Sequence, residues 1–121
     1  MAARVQTIPV ADGFAVLVTE TNAGSSDEVG PINVPRRGTI VRVRSVLVSG
    51  SGTSISTEIG RAAGWASGDI DEVRPAGENE FDACPYFAPD DVIYLRSNVD
   101  AGADNMIRTE ILIRAIGLAG G

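Results

Sequence analysis

Apolar and polar residues alternate with a period of two along much of this 121-residue chain. Over residues 40–48, Val41, Val43, Ser45 and Leu47 fall on one side, and Ile40, Arg42, Arg44, Val46 and Val48 on the other. The arginines mark the second side as wet where the segment begins, and Val46 and Val48 predict cover further along. Residues 107–115 repeat the rhythm, with Ile107, Thr109, Ile111, Ile113 and Ala115 opposing Arg108, Glu110, Leu112 and Arg114. Successive side chains of a strand point to opposite faces, so both stretches predict half-buried antiparallel strands. Thr53 to Ile59 sets Ile55, Thr57 and Ile59 against Ser54, Ser56 and Glu58. Val92 to Arg96 and the compact apolar run Phe14 to Thr19 add two more strands rich in β-formers. Arg4 to Val10 and Ile70 to Arg74 are weaker strands. Pro9 confines the first to a sheet edge or to an arm over residues 1–12.

Turn chemistry joins these segments. The Ser49-Gly50-Ser51-Gly52 run predicts a hairpin between 39–48 and 53–59, and Asp100 to Asn105 likewise joins 92–98 to 107–116. Residues 21–37 and 75–90 carry several Gly and Pro and read as long loops, which tend to be functional or to rest on a partner. Helix is limited to one turn within Arg61 to Ser67, weakened by Gly60, Gly64 and Gly68. The expected fold is therefore all-β: one antiparallel β-sandwich domain over 1–121, about six to eight strands, with jelly-roll order as one arrangement.

Composition narrows the chemistry. The chain has no His, its ten basic residues are all Arg, and Cys84 is its one cysteine. These gaps remove Ser-His and Cys-His pairs, Schiff-base lysines, intrachain disulfides and thiolate zinc sites. They also leave no imidazole to change charge between about pH 5 and 8. The net charge of −6 and a pI near 4.5 argue against nucleic acid and anionic membranes as partners. The longest apolar run, Phe14 to Val18, is far short of a membrane span, and the start lacks the apolar stretch of a signal peptide.

Acidic residues are the remaining catalytic stock. Asp69, Asp71 and Glu72, or Asp90 and Asp91, sit in expected loops, where neighbouring acids are ordinarily solvated. Neither Asp-Thr-Gly nor Asp-Ser-Gly occurs. Asn98, Asp100 and Asp104 place oxygens at alternate positions around Gly102, a calcium-loop spacing that is equally the composition of a plain turn. Cys84, beside Glu80 and Asp82, reads as buried and inert. For partner contact the candidates are the Arg36-Arg37 pair and the loop aromatics Trp65, Tyr86 and Phe87. The aromatics also admit a carbohydrate-binding module or adhesin. No catalytic residue, cofactor or firm metal site is assigned.

The stretches Gly38–Val48, Ser51–Gly60, Val92–Asp100 and Ile107–Arg114 together resemble small β-sandwich virion proteins of tailed bacteriophages, the capsid decoration or cement type most closely. The likeness lies in length, strand rhythm and acidity. It implies a non-catalytic structural virion protein, made in the host cytoplasm and assembled into the virion. It further implies a homo-oligomer, a trimer above all, bound to the major capsid or another virion protein where shell subunits meet.

Overall fold

The computed structural model describes residues 1–24, 27–34, 36–61, 63, 72–73, 77–80, 86–87 and 91–115, with the backbone alone at 72–73, 77–80 and 86–87. Its strands are β1 (Ala2–Val10), β2 (Gly13–Ala23), β3 (Asp27–Asn33), β4 (Gly38–Ser49), β5 (Ile55–Gly60), β6 (Glu72–Val73), β7 (Gly77–Glu80), β8 (Tyr86–Phe87), β9 (Val92–Val99) and β10 (Asn105–Ala115). Sheet A runs β1-β2-β10-β4-β7, with β8 also on β4. Sheet B runs β3-β9-β5-β6, and every ladder is antiparallel.

Eight of these strands, leaving out β1 and β8, pair first with last and so on inward: β2 with β10, β3 with β9, β4 with β7, β5 with β6. The pairs alternate between the sheets. That order is a jelly roll, a paired ribbon wrapped into a two-sheet sandwich. It revises the hairpins expected from the turn sequences. β4 and β5 lie in opposite sheets, as do β9 and β10, so each short loop crosses the sandwich instead of closing a hairpin. The long loops are revised too. Residues 21–37 contain β3, and residues 75–90 contain β7 and β8, which hydrogen-bond to β4. Most of the one-turn helix expected within 61–67 lies outside the described residues.

The two crossing loops run side by side and hold each other. Asp100 accepts from the Thr53 amide at 2.7 Å, the Thr53 hydroxyl at 2.6 Å and the Ser54 amide at 3.1 Å. Asp104 accepts from the Ser51 hydroxyl at 2.9 Å and its amide at 3.2 Å. Buried Asn105 donates to the carbonyls of Ala23 and Ala101 and accepts from the Gly52 amide at 2.8 Å. Gly50 lies against Asn105 with φ +121°, and a Cβ there would fall 2.3 Å from the Asn105 Oδ1. Only glycine suits both the dihedral and the contact.

Inside, the five strands β2, β4, β5, β9 and β10 share one inward pattern. In the last four, an apolar residue, a polar one and another apolar one follow at alternate positions: Val43-Ser45-Leu47, Ile59-Thr57-Ile55, Leu95-Ser97-Val99 and Ile111-Thr109-Ile107. Glu20 supplies the polar position in β2, between Val18 and Ala23. The polar members form a seam across the sandwich. Ser97 Oγ donates to Glu20 at 2.9 Å, Thr57 Oγ1 donates to Ser45 Oγ at 3.0 Å, and Ser45 Oγ lies 3.2 Å from Thr109 Oγ1. On one side of the seam is the main core, including Phe14, Ile40, Ile93 and Ile113. On the other is a small cluster of Ala23, Ile55, Val99 and Ile107 under the crossing loops.

The expected faces hold for β5, β9 and β10. In β4 a bulge opposite Leu112–Ile113 shifts the register, so Ile40 turns inward and Val41 outward, the reverse of strict alternation. Val46 and Val48 face out and stay 44% and 45% exposed.

Three substitutions test this arrangement. Ile111→Ala should cost about 2–5 kcal/mol in urea unfolding, as a truncated core isoleucine does, whereas Val46→Ala should change stability by less than about 1 kcal/mol. Equal effects would overturn the facing. Asn105→Ala should lower stability by about 2–3 kcal/mol, since it strands the buried groups it now joins. An unchanged midpoint would refute its role in the crossing.

Candidate functional site

The sequence-derived candidates scatter. Asn98 and Asp100 line one open groove of about 250 Å³ with Ser54 and Ser56, while Asp104 turns to Ser51 of the neighbouring loop. The Asp100 and Asp104 oxygens thus serve as acceptors for the other loop's donors. Those bonds hold the Asp100 carboxyl down at about 2 and depress that of Asp104. Arg36 lines a groove of about 360 Å³ with Asp12 and Arg114, beside the Ala11-Asp12 turn. Tyr86 and Phe87 form β8 against Gly38 and Thr39, so their backbone is part of a sheet edge. Asp91 pairs with Arg61 at 3.7 Å. Glu72 lies in the short edge strand β6. Trp65, Asp69, Asp71, Cys84 and Asp90 lie outside the described residues, and Arg37 is half-buried.

A surface the motif search missed stands out on the outer side of sheet A. An antiparallel sheet with one solvated face normally shows polar side chains there. Here aliphatic side chains share the cross-strand rows with charged ones. One row joins Ile8 of β1, Ala15 of β2, Leu112 of β10 and Arg42 of β4. The next joins Gln6, Leu17, Glu110 and Arg44, and a third Arg4, Thr19, Arg108 and Val46. Leu17, Val46 and Val48 line an open groove of about 260 Å³ together with Arg44, Arg108 and Glu110. A second, of about 210 Å³, opens among Val10, Val41, Leu112 and Arg114. The large hydrophobics exposed among the described residues are Met1, Val5, Ile8, Val10, Val46 and Val48, all on or beside β1 and β4.

Charge frames this patch. Arg42 pairs with Glu110 at 3.8 Å, and the register sets Glu80 and Glu78 of β7 beside Arg42 and Arg44. Arg4, Arg44, Arg108 and Arg114 make no ion pair among the described residues. The outer side of sheet B differs. There Arg96 stands between Glu28 and Glu58 in one row and pairs with Glu28 at 3.5 Å.

Beside the patch, β1 forms a ledge. Its one ladder is to β2, and all nine of its residues are exposed whichever way they face. Sheet B therefore does not cover it. The two-residue turn closes on the Val10–Gly13 pair, so even-numbered residues exchange hydrogen bonds with β2. The backbone groups of Ala3, Val5, Thr7 and Pro9 then point to the free edge. Pro9, which has no N–H, falls on this side, where its ladder loses nothing.

One titratable group contradicts the expectation from the missing His. Glu20 has no accessible surface, and burial pushes its carboxyl up to about 7. The Ser97 hydroxyl opposes that rise and nearby Asp27 adds to it. Glu20 Oε2 finds no hydrogen-bond partner among the described residues. The signal was a lone Glu at an inward position of an apolar strand, visible only once the β2 register is known. Enclosed in the seam, this carboxyl is placed to tune stability.

Fold and surface together define a jelly-roll sandwich whose distinctive surface is a sheet face. Among the described residues, no group of three or more acidic or cysteine side chains is placed to hold a metal. Comparison with known protein families, with characterised proteins and with solved structures finds no match.

The two kinds of carboxylate predict opposite pH effects. Glu20 is raised on folding from 4.5 to about 7, so its contribution is full below pH 4.5 and is lost as pH rises to 7, by a few kcal/mol at most. The stability difference between Glu20→Gln and the unaltered chain should grow across that window and level off above it. A difference constant with pH would refute the assignment. Asp100, lowered from 3.8 to about 2, stabilises above pH 4 and loses its contribution as pH falls towards 2. Asp100→Asn should flatten the unfolding midpoint on that acid limb; an undiminished acid limb would count against the loop clamp.

Proposed function

We propose that this chain is a non-catalytic structural protein of a virion, a capsid decoration protein of the tailed-bacteriophage type that binds where shell subunits meet. The observation that carries the reading is the aliphatic, arginine-framed outer face of sheet A with the β1 ledge beside it. Such a surface is suited to lie against another protein, since interface centres combine apolar side chains with arginine. The jelly roll itself supplies only analogy, because the fold also serves lectins and cupins.

In this reading the protein is a homo-oligomer, a trimer by its resemblance to cement proteins, and β1 provides the contact between copies. Its free edge offers the amides of Ala3, Val5 and Thr7 for strand addition. Repeated attachment on a symmetric shell then lets modest single contacts suffice.

Mass photometry and sedimentation at micromolar concentration should show an oligomer. Thr7→Pro removes one outward donor without touching the ladder to β2, and should shift the protein to monomer with unchanged circular dichroism. Virions of the phage encoding the chain should contain it in stoichiometric amount and lose heat stability when it is stripped. A protein that stays monomeric at high concentration and is missing from such virions would defeat the proposal.

A further inference from the structure

We propose that the outer face of sheet A docks on a protein surface where acidic side chains are interspersed with apolar ones. This rests on the structural reading above and names the surface that meets the larger assembly. The face mixes Ile8, Leu17 and Leu112 with charged side chains, and Val46 and Val48 are the exposed large hydrophobics of β4. A face of this kind in water leaves apolar area uncovered that a partner would remove.

Charge selects the occupant. Arg4, Arg44, Arg108 and Arg114 stand around the aliphatic positions with no ion pair among the described residues, on a chain of net charge −6. Their guanidinium forks match carboxylates on an opposing surface. A second copy placed face to face would oppose two surfaces on each of which these arginines outnumber the described acid, Glu110. A nucleic acid is disfavoured by the acidic chain as a whole, and aliphatic side chains offer its bases no stacking platform. A flat protein surface with Asp and Glu interspersed among apolar side chains satisfies both features.

Two measurements test this. The first is rebinding to native particles stripped of the protein, read against salt concentration. Arg44→Glu/Arg108→Glu should weaken rebinding at least tenfold and reduce its salt dependence. Val46→Ser/Val48→Ser should weaken it severalfold and leave the salt dependence alone. Arg61→Glu, the same charge change beyond β5, should have little effect. Circular dichroism and the thermal midpoint establish that each variant is folded.

The second measurement uses a fluorescent peptide of alternating Glu and Val and a single-stranded DNA of equal length, with fluorescence anisotropy as the readout. The peptide should bind more tightly than the DNA at equal ionic strength, and the double arginine variant should lose it. Tighter DNA binding, or open chains of the protein alone at low salt that the arginine variant abolishes, would overturn the proposal in favour of those occupants. Particles that rebind all variants alike would refute the face while leaving the structural role standing. Peptide binding that obeys the variants, together with particles that never rebind the protein, would refute the structural role and keep the face.

Discussion

The jelly-roll order depends on two short links passing from sheet to sheet side by side. The 50–54 link is rich in Gly, Ser and Thr and carries backbone donors that need partners, and the 100–104 link has an Asp at each end. Here the donors of 51–54 are met by Asp100, Asp104 and Asn105 from the other link. β4 is thereby fixed beside β10 and β5 beside β9, which is the contact between neighbouring windings of the roll. The seam below repeats the device in the interior. Its hydroxyls bind across the gap, so a one-residue slip of any strand would bury polar groups without partners.

The sandwich so built is asymmetric. Sheet A carries β1 beyond the width that sheet B covers, and its outer side keeps aliphatic residues that the core has no use for. Sheet B presents an arginine already set between two glutamates. One side of the molecule pairs its arginine within the chain, and the other leaves Arg4, Arg44, Arg108 and Arg114 with no ion pair among the described residues.

Much of this was legible in the alternation of residues. The inward sets of β5, β9 and β10 follow directly from the period of two, whereas the cover expected over Val46 and Val48 is not found among the described residues, where both stay exposed. Three things were not legible. Ile40 and Val41 exchange faces through a bulge, which depends on the partner strand's spacing and not on their own sequence. The crossing loops have hairpin composition because Gly, Ser and Asp serve any tight change of direction, so local chemistry could not tell a return from a crossing. Glu20 directly follows the run Phe14 to Thr19, and its local sequence says nothing of its burial. Its burial arises from β10 on one flank and β9 across the core, both more than seventy residues away. The arginine-framed face escaped a motif search for the same reason, being assembled from four strands at once.

The ledge has a consequence for solvent access to the backbone. Along β1, alternate amides are held by β2 while those of Ala3, Val5 and Thr7 look into water. Isotope labelling of the isolated chain should therefore show a strand protected at every second residue. Once the edge is capped the pattern becomes continuous. The strand thus carries a residue-by-residue report of whether it is alone, readable without knowing what has come to lie beside it.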